Sequence, residues 1–234
     1  TISGIGGQCI QLAGQILARA AIAEEREVMM LGTYGGTMRG GNTESTIIIG
    51  DGPLISPPIV SHVGTALVMH HQFWTTTQAK LRPRALVMIN SSLFEGELDR
   101  EAHRVVEIPA TQLAADAGSP LAASLVLLGA YARVTEIVGI PALTQGLRES
   151  LPSYRAQHLP LNEKALRLGY DQSPETCLPA WSEDAEAGAN LGSLARSSSP
   201  SRPAHEAKPC ASCRVAPCAL RPNAAKAANS ASPP

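Results

Sequence analysis

The sequence has few aromatic residues, little net charge and no long apolar run. Aromatic side chains make up 3% of the 234 residues, so a core must be built from aliphatic side chains. The formal net charge of -1 gives no excess of Lys and Arg, which excludes general nucleic-acid binding. No apolar run approaches the roughly 20 residues of a membrane helix, and the N-terminus lacks the features of a signal peptide. The sequence therefore predicts a cytoplasmic protein without a membrane segment.

The five cysteines do not form a secreted disulfide framework, because their number is odd and three of them lie near the end of the chain. Cys210, Cys213 and Cys218 give a C-x2-C-x4-C spacing that lacks a local fourth ligand for a cluster or a closed zinc site. Cys177 could complete the set, but the surrounding Ala, Ser and Pro residues offer no groups that would orient the ligands. We therefore expect no metal in this chain.

The six histidines also lack a metal-ligand spacing, such as two histidines four residues apart beside a glutamate. His70 and His71 are adjacent, so their side chains point in different directions, and we expect each to make a structural hydrogen bond. No serine, histidine and acid stand in a recognisable catalytic context. The sequence thus predicts no catalytic residue.

Strand and helix signals alternate along the first 170 residues. Short aliphatic or β-branched runs predict strands at 1–3, 28–31, 45–49, 66–69, 85–90 and 105–110, with 45–49 read as buried. Helical spacing predicts helices at 10–23, 73–80, 111–117, 124–139, 141–150 and 163–169, the last capped by Asn162 and ended by Gly169. This alternation predicts an α/β, Rossmann-like three-layer domain with a largely parallel sheet. The first strand is short, so we expect native residues to precede Thr1.

The composition changes after residue 170. Ala, Ser and Pro dominate residues 171–234, a composition that cannot bury enough apolar surface to form a core. The sequence therefore predicts a domain at 1–170 and an extended or disordered tail at 171–234. Leu178 and Trp181 are large apolar residues that we expect to dock the first part of the tail onto a neighbour.

A first glycine-rich turn, with Gly4, Gly6 and Gly7, separates a strand from a helix. Such a turn brings backbone N–H groups to the positive end of the helix dipole, which suits a phosphate. A dinucleotide fingerprint would need a third glycine where Cys9 stands and an acidic residue after the second strand, which is missing. Nicotinamide binding is therefore not expected, and the alternative is that the glycines only allow tight packing.

The second glycine-rich loop reads YGGTMRGGN at 34–42. Four glycines around one arginine allow the backbone to approach a ligand closely, and Arg39 offers a forked, permanently charged donor to a phosphate or carboxylate. The alternative is that Arg39 pairs with a carboxylate at a subunit interface. Both turns are candidates for a phosphate-bearing ligand.

Six landmarks occur in an order that resembles the γ subunit of 2-oxoacid:ferredoxin oxidoreductases. They are GIGGQ (4–8), YGGTMRGG (34–41), LRPRALVMINSSL (81–93), EIPAT (107–111), LLGAY (127–131) and NEKALRLGY (162–170). The resemblance covers the predicted domain and leaves the tail outside. Two positions depart from the family pattern, since Cys9 stands where Gly is usual and Gly36 where Pro is frequent.

The resemblance implies a subunit that does no chemistry alone and binds no cofactor by itself. The family oxidises a 2-oxoacid on thiamine diphosphate, passes electrons through iron–sulfur clusters to ferredoxin or a similar acceptor, and transfers the acyl group to coenzyme A. Thiamine diphosphate, Mg and the clusters are implied to lie in partner subunits, namely the thiamine-binding α and β subunits and a ferredoxin-like subunit. The residues that the resemblance implies in coenzyme A contacts are Gly4, Gly6, Gly7, Gln8, Tyr34, Gly35, Arg39, Gly40, Gly41 and Asn42.

Two other functions stay open on the sequence. A free-standing α/β protein could bind a nucleotide or coenzyme alone, and it would be a monodisperse monomer. A purely structural scaffold subunit would share the partners but contact no ligand. A true subunit is expected to expose a large apolar patch to its partners.

Overall fold

A computed structural model describes residues 1–36, 40–55, 57–174 and 178–180. Within them the chain forms six strands and six α-helices, joined by loops and three short 3-10 helices. In chain order the elements are β1 (Ile2–Ile5), α1 (Ile10–Ala23), β2 (Glu27–Tyr34), β3 (Asn42–Gly50), β4 (Val63–Val68), a 3-10 turn (His71–Phe73), α2 (Trp74–Gln78), β5 (Leu81–Asn90), β6 (Arg104–Ile108), α3 (Ala110–Asp116), a 3-10 turn (Pro120–Ala122), α4 (Ala123–Thr135), α5 (Ile140–Ser150), a 3-10 turn (Ser153–His158) and α6 (Leu159–Asp171).

The strands form one mixed sheet in the order β2-β3-β1-β4-β5-β6. β1, β4, β5 and β6 pair in parallel, whereas β3 is antiparallel to both β1 and β2. Five of the six strands therefore run the same way, which confirms the prediction of a largely parallel sheet. The connection after β1 leads toward the edge of the sheet formed by β2, whereas the connection after β4 leads toward the opposite edge, formed by β6. The carboxyl ends of β1 and β4 thus border a topological switch point, where α/β sheets usually bind their ligands.

Helices cover the two faces of the sheet unequally. α1 and α3 to α6 enclose a large aliphatic core on one face, to which β4 and β5 contribute Leu67 and Met88. On the other face, Trp74 of α2 packs with Val68 and Val87 in a smaller core. Successive side chains of a strand point to opposite faces, so both faces of these strands are apolar and the strands read as continuous apolar runs. The predicted three-layer α/β fold is confirmed.

Two glycines let α4 and α6 approach closely. A Cβ atom added to Gly129 of α4 would lie 2.0 Å from the carbonyl oxygen of Leu166, and one added to Gly169 of α6 would lie 1.9 Å from that of Val126. Both distances are far inside van der Waals contact, so neither position accepts a side chain while the helices keep this spacing.

The predicted end and cap of the last helix are wrong. α6 begins at Leu159 and runs through Asp171, so Asn162 and Gly169 both lie inside it. Pro160 occupies the first turn, where backbone N–H groups have no partner within the helix, so the lack of an N–H in proline costs nothing. The helix is therefore set by this proline start and by packing against α4.

Other predicted boundaries, and the predicted burial of β3, also differ from the structure. β2 continues through Tyr34, so the second loop is shorter than the sequence suggested. The β-branched run of β3 is only half-buried at Ile47 to Ile49, because β3 lies beside the edge strand β2 and borders a cavity. α4 ends at Thr135, where Glu136 adopts a left-handed conformation with φ 51°.

Residues 178–180 pack on the domain after α6. The N–H of Leu178 donates to the carbonyl of Val134 at 2.8 Å, and the Thr65 hydroxyl donates to the carbonyl of Ala180 at 2.7 Å. Leu178 therefore docks the start of the predicted tail onto its own domain. The rest of that prediction lies outside the described residues, as do Cys177, Trp181, Cys210, Cys213 and Cys218. Among the described helices, none is long and apolar enough to cross a membrane.

Candidate functional site

The side chain of Gln8 stabilises the first glycine turn by a hydrogen bond within the turn. The N–H of Ile5 donates to Oε1 of Gln8 at 2.9 Å, and the N–H of Gln8 donates back to the carbonyl of Ile5 at 3.2 Å. A Cβ on Gly4 would lie 2.5 Å from Gln8 Oε1 and 3.0 Å from the Cβ of Met69. Gly4 and Gln8 therefore shape the turn, which agrees with the packing alternative for Gly4.

The turn leads to the amino end of α1 without a side-chain cap. Cys9 is the N-cap residue, with φ 56° and ψ 28°, and its side chain makes no capping hydrogen bond. Gly7 has φ 107° and open space around the position of a Cβ. The backbone N–H groups of a helix start need an external partner when no side chain caps them. The carboxyl end of β1 thus presents uncapped donors beside an open glycine.

The second loop is the tip of a hairpin between β2 and β3. Tyr34 pairs with Thr43 at the end of the ladder, and the N–H of Gly35 donates to the carbonyl of Asn42. Tyr34 is 72% exposed, so its ring is available to a ligand or partner. Gly40 has φ 73°, a conformation that favours glycine. The loop residue Arg39 lies outside the described residues.

The two glycine-rich segments touch and form one surface. The N–H of Gly6 donates to the carbonyl of Gly41 at 2.9 Å, and a Cβ on Gly6 would lie 3.4 Å from the backbone nitrogen of Gly40. We call this surface the glycine cradle and define it by Gly6, Gly7, Gly35, Gly40 and Gly41. The structure therefore brings together both groups of candidate residues that the sequence placed far apart.

Asn42 lies next to the cradle, and its side-chain oxygen lacks a hydrogen-bond donor among the described residues. Its Oδ1 atom is buried and accepts no hydrogen bond from the described residues. Leaving a buried polar atom unpaired costs about 1–3 kcal/mol. A donor from the part of the loop that is not described, or from a bound molecule, would remove that cost.

Arg155 is a charged residue near the first turn that sequence reasoning did not single out. It belongs to the 3-10 turn before α6, and its guanidinium carbon lies 5.5 Å from the centre of the Tyr154 ring. Partial desolvation raises the pKa of the Cys9 thiol, and the positive charge of Arg155 partly opposes that shift. Arg155 thus places a positive charge near the start of α1. The sequence carries no local signal for this electrostatic influence, because only the fold brings the two segments near each other.

His70 and His71 make the structural hydrogen bonds that the sequence predicted. Nδ1 of His71 lies 3.0 Å from the carbonyl oxygen of Leu93, and Nδ1 of His70 accepts the N–H of Gln72 at 3.1 Å. These are structural hydrogen bonds at the end of β4. No cluster of three or more potential metal ligands occurs in the described part of the chain.

The chain is similar to known oxidoreductase subunits. The family profile described as pyruvate ferredoxin/flavodoxin oxidoreductase matches residues 1–172. The 2-oxoglutarate synthase subunit KorC of Methanocaldococcus jannaschii is 28% identical over 177 residues, covering 74% of this chain and 92% of the relative. The indolepyruvate oxidoreductase subunit IorB of Archaeoglobus fulgidus is 29% identical over 193 residues, covering 74% and 93%.

Solved structures show the same fold. The γ subunit of a keto/oxoacid ferredoxin oxidoreductase from Geobacter sulfurreducens superposes with a TM-score of 0.63 at 27% identity, over 73% of this chain and 93% of that subunit. The 2-oxoglutarate:ferredoxin oxidoreductase from Magnetococcus marinus, solved with 2-oxoglutarate, coenzyme A and succinyl-CoA, superposes with a TM-score of 0.64 at 18% identity, over 76% of this chain and 32% of that chain.

Proposed function

Because the chain belongs to the pyruvate ferredoxin/flavodoxin oxidoreductase family and is a γ-type subunit, we propose that its glycine cradle contributes contacts to coenzyme A in a thiamine-dependent 2-oxoacid oxidoreductase complex. The observation that supports this proposal is the contact between the two glycine-rich segments, joined by the hydrogen bond from Gly6 to Gly41. Each segment alone is a weak signal for a phosphate. Together they place several glycines side by side at the carboxyl end of β1, beside the topological switch point.

The cradle suits the phosphate groups of a coenzyme for three reasons. The amino end of α1 offers backbone donors at the positive end of its dipole, which favours an anion. Gly7 and Gly40 leave open space where a side chain would block a ligand. Arg39 in the loop and Arg155 beside the helix start add positive charge, and a guanidinium binds phosphate through paired hydrogen bonds.

The proposed partners are those that the family resemblance implies. The α and β subunits hold thiamine diphosphate with Mg, which supplies the chemistry of decarboxylation, and a ferredoxin-like subunit carries electrons through iron–sulfur clusters to ferredoxin or a similar acceptor. This chain binds none of these groups by itself. We place the complex in the cytoplasm, a compartment in which a free thiol such as that of Cys9 stays reduced.

The test is the dependence of the assembled complex on coenzyme A after Arg39→Ala. A charge-assisted hydrogen bond is worth about 1.5–3 kcal/mol, so kcat/KM for coenzyme A should fall roughly ten- to a hundredfold. Reduction of the acceptor from thiamine-bound substrate, followed without coenzyme A, should be unchanged. Arg167→Ala is the matched control, because Arg167 is an exposed arginine on α6 outside both glycine segments, and it should change neither rate.

A second pair of variants probes the cradle itself in the same assay. Gly6→Val should raise the KM for coenzyme A. A Cβ at position 6 would lie 3.4 Å from the backbone nitrogen of Gly40, so the larger valine side chain would push the two glycine segments apart. Gly36→Val lies in the same loop with open space around it and should have little effect. An intact Arg39→Ala complex with unchanged coenzyme A dependence would contradict the proposal. Loss of both half-reactions through disassembly would instead support the scaffold alternative.

A further inference from the structure

The outer edge of β2 is open along its length. β2 is an edge strand of the sheet, and no strand of the described residues pairs with its outer side. Its eight residues, EVMMLGTY, pair with β3 without a bulge and include no proline and no lysine. Proteins usually protect an exposed edge with charges, proline, a bulge or a covering element. Apart from Glu27 at its start, β2 carries no such protection, so its edge is suited to pairing with another strand.

The alternation of hydrogen bonds shows which backbone groups of β2 point outward. The N–H of Gly35 donates to the carbonyl of Asn42, so these two residues form a hydrogen-bonded pair at the end of the β2–β3 ladder. Hydrogen-bonded and non-hydrogen-bonded pairs alternate along an antiparallel ladder. Every second residue counted back from Gly35 therefore bonds to β3, and the residues between them direct their N–H and C=O groups outward. These outward residues are Val28, Met30, Gly32 and Tyr34.

We propose that β2 pairs antiparallel with β2 of a second copy of this chain, with the two-fold axis at Leu31. Outward groups of the two strands bond only where two outward residues lie opposite each other. The register centred on Leu31 meets this condition, because it sets Met30 opposite Gly32 and Val28 opposite Tyr34 of the second copy. Leu31 then faces itself in a non-hydrogen-bonded pair. A contact of this kind is closed by its symmetry and ends with two copies.

The side chains of the strand are self-complementary in this register. Glu27, the single charged residue of β2, lies opposite Gly35 of the second copy, so no like charges meet. The exposed side chain of Leu31 gains an apolar neighbour at the axis. Val28 and Tyr34 form a β-branched and aromatic pair, a combination that stabilises sheets. The edge therefore fits a second copy without a partner of different sequence.

A groove beside the edge gives the second copy room for a further contact. It lies between α1, α5 and β2, has a volume of about 450 Å³, and is lined by Met30 and the exposed Ile22. Tyr34 is on the same face of β2 as Met30 and lies diagonal to it in the proposed register, within reach of a large side chain. Stable interfaces bury about 1,200–2,000 Å², more than one strand pair supplies, so the ring of Tyr34 in this groove adds contact that a stable dimer needs.

Sedimentation velocity on the full chain tests the pairing. The unchanged protein should sediment as a dimer. Leu31→Lys alone and Leu31→Glu alone should each sediment as monomers, because like charges would meet at the axis. An equimolar mixture of the two variants should form dimers again, since opposite charges then face each other. This restoration requires that residue 31 lie opposite itself.

Disulfide cross-linking tests the register in the assembled complex. In a background with the five native cysteines replaced by serine, oxidised Leu31→Cys should give a covalent dimer of this chain. The two Cα atoms of such a pair lie about 4.5 Å apart, within the range of a disulfide. Thr33→Cys is the matched control, because it would lie about 13 Å from its counterpart and should stay reduced.

Three results would overturn the proposal. The first is an unchanged chain that sediments as a monomer, and the second is a dimer that Leu31→Lys leaves intact. The third is a Leu31→Cys variant that does not cross-link to itself in the complex, which would assign the edge of β2 to another subunit or to the rest of this chain.

Discussion

Cys9 adopts a left-handed backbone conformation, which favours glycine. Its φ of 56° and ψ of 28° lie in the left-handed region, where a Cβ approaches the following carbonyl and costs roughly 1–2 kcal/mol. The family resemblance places glycine at this position. The chain therefore starts α1 with a strained residue directly beside the cradle.

Cys9→Gly is expected to stabilise the protein. Removing the strain should outweigh the backbone entropy of glycine, which costs about 0.5–1 kcal/mol, so the free energy of unfolding should rise by up to about 1 kcal/mol. Urea unfolding followed by circular dichroism measures the change. Cys9→Ala is the control, because it keeps the Cβ and should show no such gain. A glycine variant less stable than the alanine variant would contradict the strain argument.

At the residue scale, the sequence predicted the two glycine segments but not their detailed roles. The resemblance supplied the candidate positions, and the hydrogen bond from Gly6 to Gly41 shows that they meet. The inward turn of Gln8 and the approach of Arg155 were not predictable, because both depend on three-dimensional contacts. Whether the cradle binds coenzyme A stays a prediction.

Gly129 and Gly169 act at the scale of a helix pair. A glycine near the end of an apolar helical run is typical of a helix end, which is why the sequence indicated that α6 stops at residue 169. The same residue type also serves where two backbones come close, and a single sequence does not distinguish the two uses. Here the close approach of α4 and α6 is the physical reason for both glycines.

Gly169→Ala should destabilise the protein despite improving intrinsic helix propensity. Alanine is favoured over glycine inside a helix by about 1 kcal/mol, but the added methyl would meet the carbonyl of Val126 at 1.9 Å. Overpacking of this kind typically costs about 1–3 kcal/mol, so the net change in unfolding free energy should be negative. Thermal unfolding provides the measurement. Gly52→Ala, which has open space around it, is the control, and an unchanged or raised Tm for Gly169→Ala would refute the packing argument.

The sequence located most elements but missed the direction of one strand. Apolar runs located β4 and β5, because both of their faces are buried and the runs are continuous, but the strands begin at Val63 and Leu81, before the predicted 66 and 85. The antiparallel direction of β3 follows from the short loop 35–41, since a parallel connection needs about a dozen residues or more. That signal was present in the loop length. The half-burial of β3 could not be predicted from the sequence, because it depends on the position of the strand in the sheet.

For the whole molecule, Tyr131 predicts how stability depends on pH. Burial raises the pKa of Tyr131 to about 12, while nearby hydroxyls of Thr65 and Thr135 and the charge of Arg26 oppose the shift. An unfolded tyrosine titrates near 10, so the folded state favours the protonated phenol. The protonated phenol therefore contributes on the order of 2–3 kcal/mol to the free energy of unfolding below about pH 10. This contribution is lost as the pH rises through about 12.

Tyr131→Phe should remove this alkaline loss. The free energy of unfolding, measured by urea between neutral pH and pH 12, should fall less steeply above pH 10 in the variant than in the unchanged protein. Tyr154→Phe is the matched control, because Tyr154 is 71% exposed, and it should leave the slope as it is. Parallel pH profiles for the unchanged protein and Tyr131→Phe would show that the phenol of Tyr131 titrates normally.

From the position of β1 between β3 and β4 we expect an order of folding events. The β2–β3 hairpin pairs residues that are close in sequence, and hairpins form within about 1–10 μs. β1 pairs with β4, more than sixty residues away in the chain, at Ile2 with Leu67, and such non-local pairings form slowly. The second glycine segment can therefore take shape early, whereas the first joins it only when β1 inserts into the centre of the sheet. A molecule captured by the cradle would thus report the completion of folding rather than its beginning.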